Sequence, residues 1–444
     1  MPPEARRTDR ADDARSSPDA DGVPLAESGI GRERSLDPAM KRDRQTASWI
    51  RQPEKLSGAL TVATMLLAFA MVNSPLKSAY DLLHHTPVAL HVGGWQVERP
   101  LILWINEGLM VFFFLLVALE IKREALQGHL ASRAKMALPV IAAAGGMLVP
   151  AAVYLAFTWG DPDAARGWPI PTATDTVLAL AALRALGARV PAAVVAFLTA
   201  LAIFDDIGAI VILAAMFTQS ISLPALLAAA GAMSALALAN RLGVTRLAAY
   251  VLGGIVLWVA VLASGVHATM AGFLVGLVIP LRTSTSRPSP LLAAEKGLRP
   301  WVALGIVPLF AFFNAGVRVV DLAPGVLSAG VVAGTAAALV LGKPIGIVCA
   351  AWGAVRLGLA KLPAGARWRH VSGAALLAGI GFTMSLFFTA LAFGSRAALA
   401  VSGTVGVLIG SLVAAVLGVG FLAMTAGRSG RCEPDSATAL AHKP

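Results

Sequence analysis

The chain has 444 residues, of which 57% are hydrophobic and only 14% charged, and its mean hydropathy is +0.74. Soluble domains carry roughly 25% charged residues, so this composition excludes an ordinary soluble fold and indicates an all-α polytopic membrane protein. The first 55 residues hold 11 Lys and Arg against 11 Asp and Glu, so the net charge of +11 lies in the rest of the chain, largely in short loops between apolar runs, as anionic lipid and the positive-inside rule produce. No span carries the basic stripe of a nucleic-acid binder.

Residues 1–50 are rich in Arg, Asp, Ser and Pro and poor in large apolar side chains. That composition predicts a disordered, Arg-rich cytoplasmic tail, and no apolar run with a cleavage site follows it, so no removed signal peptide is expected. A transmembrane domain is expected over 51–426 and a second cytoplasmic tail over 427–444. Apolar runs predict about twelve spans, at 56–73, 101–120, 136–157, 172–186, 191–217, 222–239, 247–262, 264–281, 301–318, 325–355, 371–393 and 400–425. Each need supply only about 20 apolar residues to cross a core roughly 30 Å thick. Alternate loops (122–135, 184–189, 241–246, 282–299, 356–369) hold 16 Lys and Arg against 5 in the opposite set. The bias puts both termini in the cytoplasm of a bacterial inner membrane. Cys349 and Cys432 have neither disulfide nor metal spacing.

Between the first two spans, "HTPVALHVGGWQVERPL" (85–101) sets Gly93–Gly94 between partly alternating apolar stretches. This reads either as a small periplasmic β-hairpin able to pair with a second subunit or as a plain external loop. In the fourth span only 12 residues separate Pro171 from Arg184, about 18 Å of helix, too little for the bilayer. Part of that crossing must be extended chain, which is tolerated only inside protein or beside a watery cavity. Asp175 falls at mid-depth beside this break.

The fifth span carries Asp205 and Asp206 near its middle. Ionisable groups in mid-membrane cost at least ~2.5 kcal/mol each and face a cavity or a partner. Adjacent residues point about 100° apart on a helix, so one carboxylate can line a cavity while the other meets a neighbouring helix. Two carboxylates this close resist joint ionisation, so their protonation is coupled. Such a pair binds a small cation when deprotonated and releases it when protonated. A purely structural carboxylate pair is the alternative reading. In the tenth span Lys343 is the only charge between Asp321 and Arg356 and requires a carboxylate partner, with Pro344 loosening the helix there. Gly379 and Gly381 interrupt the eleventh. Interrupted spans at corresponding positions of two halves point to a midplane binding site.

These strings resemble the NhaA family of sodium/proton antiporters. The matching stretches are "WINEGLMVFFFLLVALEIKRE" (104–124), "PTATD" (171–175), "FLTALAIFDDIGA" (197–209), "SGVHATMAG" (264–272), "PWVALGIVPLFAFFNAGV" (300–317), "LGKPIGI" (341–347) and "GIGFTMSLFF" (379–388). They recur in family order, and the family is one of those from which the interrupted-span rule was drawn. The resemblance implies two inverted repeats, spans three to five and ten to twelve, with spans four and eleven discontinuous. It implies Asp205 and Asp206 as the cation- and proton-binding pair, with Lys343 ion-paired to Asp205. Asp175, with Thr174, would sit at the unwound crossing. The implied activity is electrogenic export of sodium or lithium against external protons, with no cofactor beyond the transported ions and no enzymatic reaction.

Glu120, with Lys122, Arg123 and Glu124, falls at the cytoplasmic mouth, near the family's pH-response region, or serves as a boundary anchor. Glu295 matches an acidic position before span nine, but Lys296 and Arg299 stand where the family pattern has histidines, which alters any inherited pH response. His267 either titrates near neutrality or is a packed, hydrogen-bonded histidine. Glu107 stands where the family often has a shorter acid. Two rival readings are a sodium-coupled symporter of an organic anion and an intramembrane aspartyl protease using Asp175 with Asp205 or Asp206.

Overall fold

A computed structural model describes residues 53–92, 95–127, 133–187, 190–218, 221–281, 289–318, 320, 327–363, 365–394 and 396–426. Both expected tails, and the Gly93–Gly94 turn, lie outside the described residues. The helices are α1 (Pro53–Val72), α2 (Lys77–His85), α3 (Leu101–Gln127), α4 (Arg133–Phe157), α5 (Thr176–Ala185), α6 (Ala192–Met216), α7 (Leu223–Arg241) and α8 (Leu247–Ser264). They continue as α9 (Thr269–Val278), α10 (Pro290–Asn314), α11 (Ala329–Arg356), α12 (Trp368–Ala378), α13 (Phe382–Phe393) and α14 (Ala397–Ala426). Among the described residues, 8 helices have the length and hydropathy to cross a membrane. Counting the bent pairs α1–α2 (111°) and α12–α13 (42°) as one span each brings the number to 10, and the shorter apolar helices α5 and α9 stand where the two remaining crossings are expected.

Two features depart from the expectations. The charge pattern predicts a loop over 282–299, yet α10 begins at Pro290. Pro is favoured in a first turn, and an amphipathic start lets Glu295 and Arg299 face α3 before the apolar stretch begins. The second is α2, nine residues long, which turns away from α1 by 111°. It is too short and too polar to span, and Tyr80 docks it by donating to the Phe312 carbonyl at 2.8 Å.

The hairpin is present: β1 (Pro87–Val92) pairs antiparallel with β2 (Trp95–Pro100), with Pro87 opposite Pro100 and Leu90 opposite Val97. Trp104 Nε1 donates to the Val88 carbonyl at 3.0 Å, and Arg99 pairs with Glu107 at 2.9 Å. These two contacts fix the ribbon to the start of α3.

Apolar packing divides the spans into two bodies. One core joins α4, α5, α6 and α11–α14, with Met110 and Phe114 of α3 and Phe310 of α10 reaching into it; the second joins α3 with α7–α10. Spans three to five and ten to twelve lie seven crossings apart, so the two triplets run in opposite directions. Each holds one interrupted crossing. The first triplet meets the second along α4 and α11, where Gly145 and Gly346 bring the backbones into contact. Proline shapes the long helices. Pro308 and Pro344 lack an amide donor, and wider π turns precede them at Val302–Ile306 and Ala338–Gly342. Ser57 donates its hydroxyl to the Ala303 carbonyl at 2.5 Å, and Thr64 to that of Pro308 at 3.0 Å. Such donors satisfy groups that a regular helix would pair internally.

Candidate functional site

The two interrupted crossings meet at mid-depth. After a short turn at Ile170–Thr172 the chain is extended through Ala173, and Asp175 caps α5 by accepting the Leu178 N–H at 2.9 Å. Opposite it, α12 stops at Ala378 and α13 begins at Phe382, with Gly379–Gly381 between. The Asp175 N–H donates to the Ile380 carbonyl at 2.7 Å. Asp175 Oδ2 accepts the Thr383 hydroxyl at 2.5 Å and the Thr383 N–H at 3.1 Å. Ser385 donates to the Ile170 carbonyl at 2.6 Å. One carboxylate therefore faces the N-termini of both α5 and α13, where the partial positive ends of two helix dipoles converge.

Asp205 and Asp206 lie on α6 beside this crossing, both buried. Lys343, fully buried, sits 3.0 Å from Asp205 Oδ2 and donates to the Thr172 carbonyl at 2.6 Å. The Thr174 hydroxyl lies 2.6 Å from the same Asp205 oxygen and 2.9 Å from the Ala378 carbonyl. The ammonium thus answers a carboxylate and the carbonyl end of a helical turn together. Asp205 Oδ1 and Asp206 Oδ1 are buried and have no hydrogen-bond partner among the described residues. An unpaired carboxylate oxygen away from water is costly, and a bare cation or a proton would satisfy it.

The sequence-derived residues thus fall into three places. Asp175, Thr174, Asp205, Asp206 and Lys343 converge at the crossing. Glu120 and Glu295 meet at one end of α3, bridged by Arg299 at 2.8 and 2.7 Å, with Arg123 pairing Glu295 at 2.9 Å. His267 belongs to neither cluster; its Nδ1 lies 2.8 Å from the Thr269 hydroxyl, and its ring stands edge-on to Phe387 with centroids 5.6 Å apart. Sequence reasoning missed Thr383, Ser385 and Ser411, the last accepting the Phe382 N–H at 3.1 Å. The available signal was hydroxyls just after a glycine-interrupted apolar run, where orphan amide and carbonyl groups need partners.

A bundle of 8 to 10 spanning helices, with two interrupted segments meeting at a buried ionisable cluster, defines a polytopic secondary transporter. A family model described as Na+/H+ antiporter 1 matches residues 48–422. The chain is 48% identical over 374 residues to a Na(+)/H(+) antiporter NhaA of Pseudomonas putida, covering 84% of this chain and 96% of that one. It is 50% identical over 370 residues to that of Rhodospirillum rubrum, covering 82% and 93%. This protein belongs to the NhaA family. The structure titled sodium proton antiporter MjNhaP1, from Methanocaldococcus jannaschii, superposes with a TM-score of 0.52 at 14% identity, covering 87% of this chain and 98% of that one, and shows a shared fold.

Proposed function

We propose that the chain is an electrogenic antiporter that exports cytoplasmic sodium or lithium in exchange for external protons, using Asp205 and Asp206 by alternating access. The observation that carries this reading is the pair of unpartnered Oδ1 atoms on adjacent buried aspartates, with Lys343 meeting Asp205 through its other oxygen, Oδ2. Deprotonated, the pair offers oxygen ligands of the hard type that small cations prefer. Protonated, it has no charge left to hold one. Cation and protons therefore compete for the same oxygens, and exchange follows from exposing them to each side in turn.

Neither rival fits as well. A symporter of an organic anion needs a polar chamber, whereas the large cavity of about 1110 Å³ has an almost wholly apolar lining between α3 and α8–α10, away from the aspartates. A protease needs a carboxylate free to activate water, and both oxygens of Asp175 are engaged by Leu178 and Thr383. The loop charge bias supports cytoplasmic termini. The hairpin supports association of two copies, since a two-stranded ribbon is marginal alone and its edge is a template for pairing.

Asp206→Asn tests the central reading. Everted vesicles should show no sodium-dependent proton movement, while the protein inserts in normal amount and elutes as wild type. Normal exchange by that variant would remove Asp206 from the mechanism.

A further inference from the structure

Away from the cation site, the first turn of α12 is closed by a histidine. His370 Nδ1 accepts the Arg367 N–H at 3.2 Å, and the His370 N–H donates to the Arg367 carbonyl at 2.8 Å. The first of these bonds is the one that Glu or Gln supplies in a capping box. Histidine can supply it only as the neutral ring protonated on Nε2, because the imidazolium has no acceptor. The residue is buried, at 6% exposure.

The charges closest to it, Arg369 and Arg367, disfavour a further positive charge. Both arginines precede it in sequence. The helices packed against α12 are α5, α6, α11 and α14. They contribute Arg184 and Arg356 at the helix ends nearest this turn, Asp175 at the start of α5 with Asp205, Asp206 and Lys343 at mid-depth, and, from α14, no charge. Protonation would also place a cation at the positive end of the helix dipole. Loss of the acceptor, like-charge repulsion and the dipole all act in one direction, against the closed turn.

The other end of the same helix holds the site. The Ala378 carbonyl lies 2.9 Å from the Thr174 hydroxyl that touches Asp205, and just past it the Ile380 carbonyl accepts the Asp175 N–H. Eleven residues connect the two ends, a rod of about 16 Å. We propose that His370 is a proton-operated latch: neutral, it closes the first turn of α12 and steadies the crossing; protonated, it opens that turn and slows transport. The latch rests on the antiport reading for its consequence but not for its geometry. It makes acidification of the face bearing Arg367 inhibitory.

The test compares wild type, His370→Gln and His370→Lys as full-length chains in proteoliposomes, with sodium/proton exchange followed across a pH series. Glutamine keeps an acceptor and cannot titrate, so the acid limb of the profile should move down by about one pH unit, with alkaline rates unchanged. Lysine mimics the open latch, so its alkaline rate should fall severalfold and its pH dependence flatten. Hydrogen exchange gives a readout independent of transport. After correction for intrinsic rates, amides 367–371 of wild type should lose at least about tenfold protection between about pH 8 and pH 5.5, and those of His370→Gln should not. A glutamine profile that overlays wild type, or protection in wild type that ignores pH, overturns the latch. If the lysine variant fails to insert, the glutamine profile and the exchange data still decide. Absence of sodium/proton exchange in wild type would instead sink the functional reading, leaving the latch to be judged by protection alone.

Discussion

At Asp175 a single carboxylate serves two helix starts, Oδ1 taking the Leu178 amide and Oδ2 both donors of Thr383. Removing it strands several buried donors, each worth about 1–3 kcal/mol, at the junction of the two interrupted spans. Asp175→Ala should therefore lower the melting temperature of the detergent-solubilised protein more than Thr383→Val, which removes one hydroxyl. A thermal-shift series that ranked them the other way would show that the crossing is held elsewhere. The pair Lys343–Asp205 follows a different rule. Breaking one side leaves the other charge buried, a loss of about 3–5 kcal/mol, whereas neutral replacement of both is far milder. How legible these residues were varied with their kind. Lys343 and the three aspartates stood out because charge in an apolar run is rare. Thr383 and Ser385 did not, because a hydroxyl costs little in a helix and becomes informative only once a neighbouring chain end is seen beside it.

At the scale of elements, the α4–α11 seam sets how near Lys343 comes to α6. A methyl on Gly346 would overlap the Gly145 carbonyl, whereas one on Gly353 of the same helix meets nothing within 4 Å. Gly346→Ala should cost at least about 1–3 kcal/mol by overpacking, and Gly353→Ala should be neutral or gain up to about 1 kcal/mol from helix propensity. Unfolding midpoints of the two variants check this, and equal midpoints would contradict the seam. On α2, His84 stacks between Tyr80 and Phe313, with centroids 4.4 and 5.1 Å away. Burial first, and then the neighbouring His85, push its imidazole from 6.5 down to about 4, against an opposing pull from Asp81. The docked helix therefore binds the proton less well than the undocked one. Its stability is complete above about pH 6.5 and is lost as pH falls from there toward 4. Amide exchange in α2 should speed up over that window, and His84→Leu should remove the dependence; a dependence that survives the substitution would place its cause in another group.

For the whole molecule, the charge arithmetic of the site predicts a response to voltage. A doubly protonated aspartate pair is neutral, and a deprotonated pair holding one sodium carries minus one. With Lys343 charged throughout, the two loaded forms become plus one and zero, so they still differ by one charge. A cycle that moves net charge gains about 2.3 kcal/mol per elementary charge per 100 mV. Sodium efflux from proteoliposomes should accelerate when the interior is made negative with a potassium/valinomycin gradient, at equal pH on both sides. Flux indifferent to both signs of potential would mean one-for-one exchange and would refute the two-proton account. Sequence by itself determined the membrane class, the approximate positions of most spans, the break beside Asp175 and the identity of the charges within the apolar runs. It could do so because the bilayer penalises charge and unpaired backbone residue by residue. Tertiary structure alone decided which of two adjacent aspartates meets Lys343, and that Thr174 and Thr383 tie the crossings together. It alone brought Arg299 between Glu120 and Glu295 and closed α12 with His370. Those choices depend on the depth and rotation of whole helices, set by backbone contact at glycines and by proline-induced π turns, and they join residues too far apart in the chain for any local pattern to register.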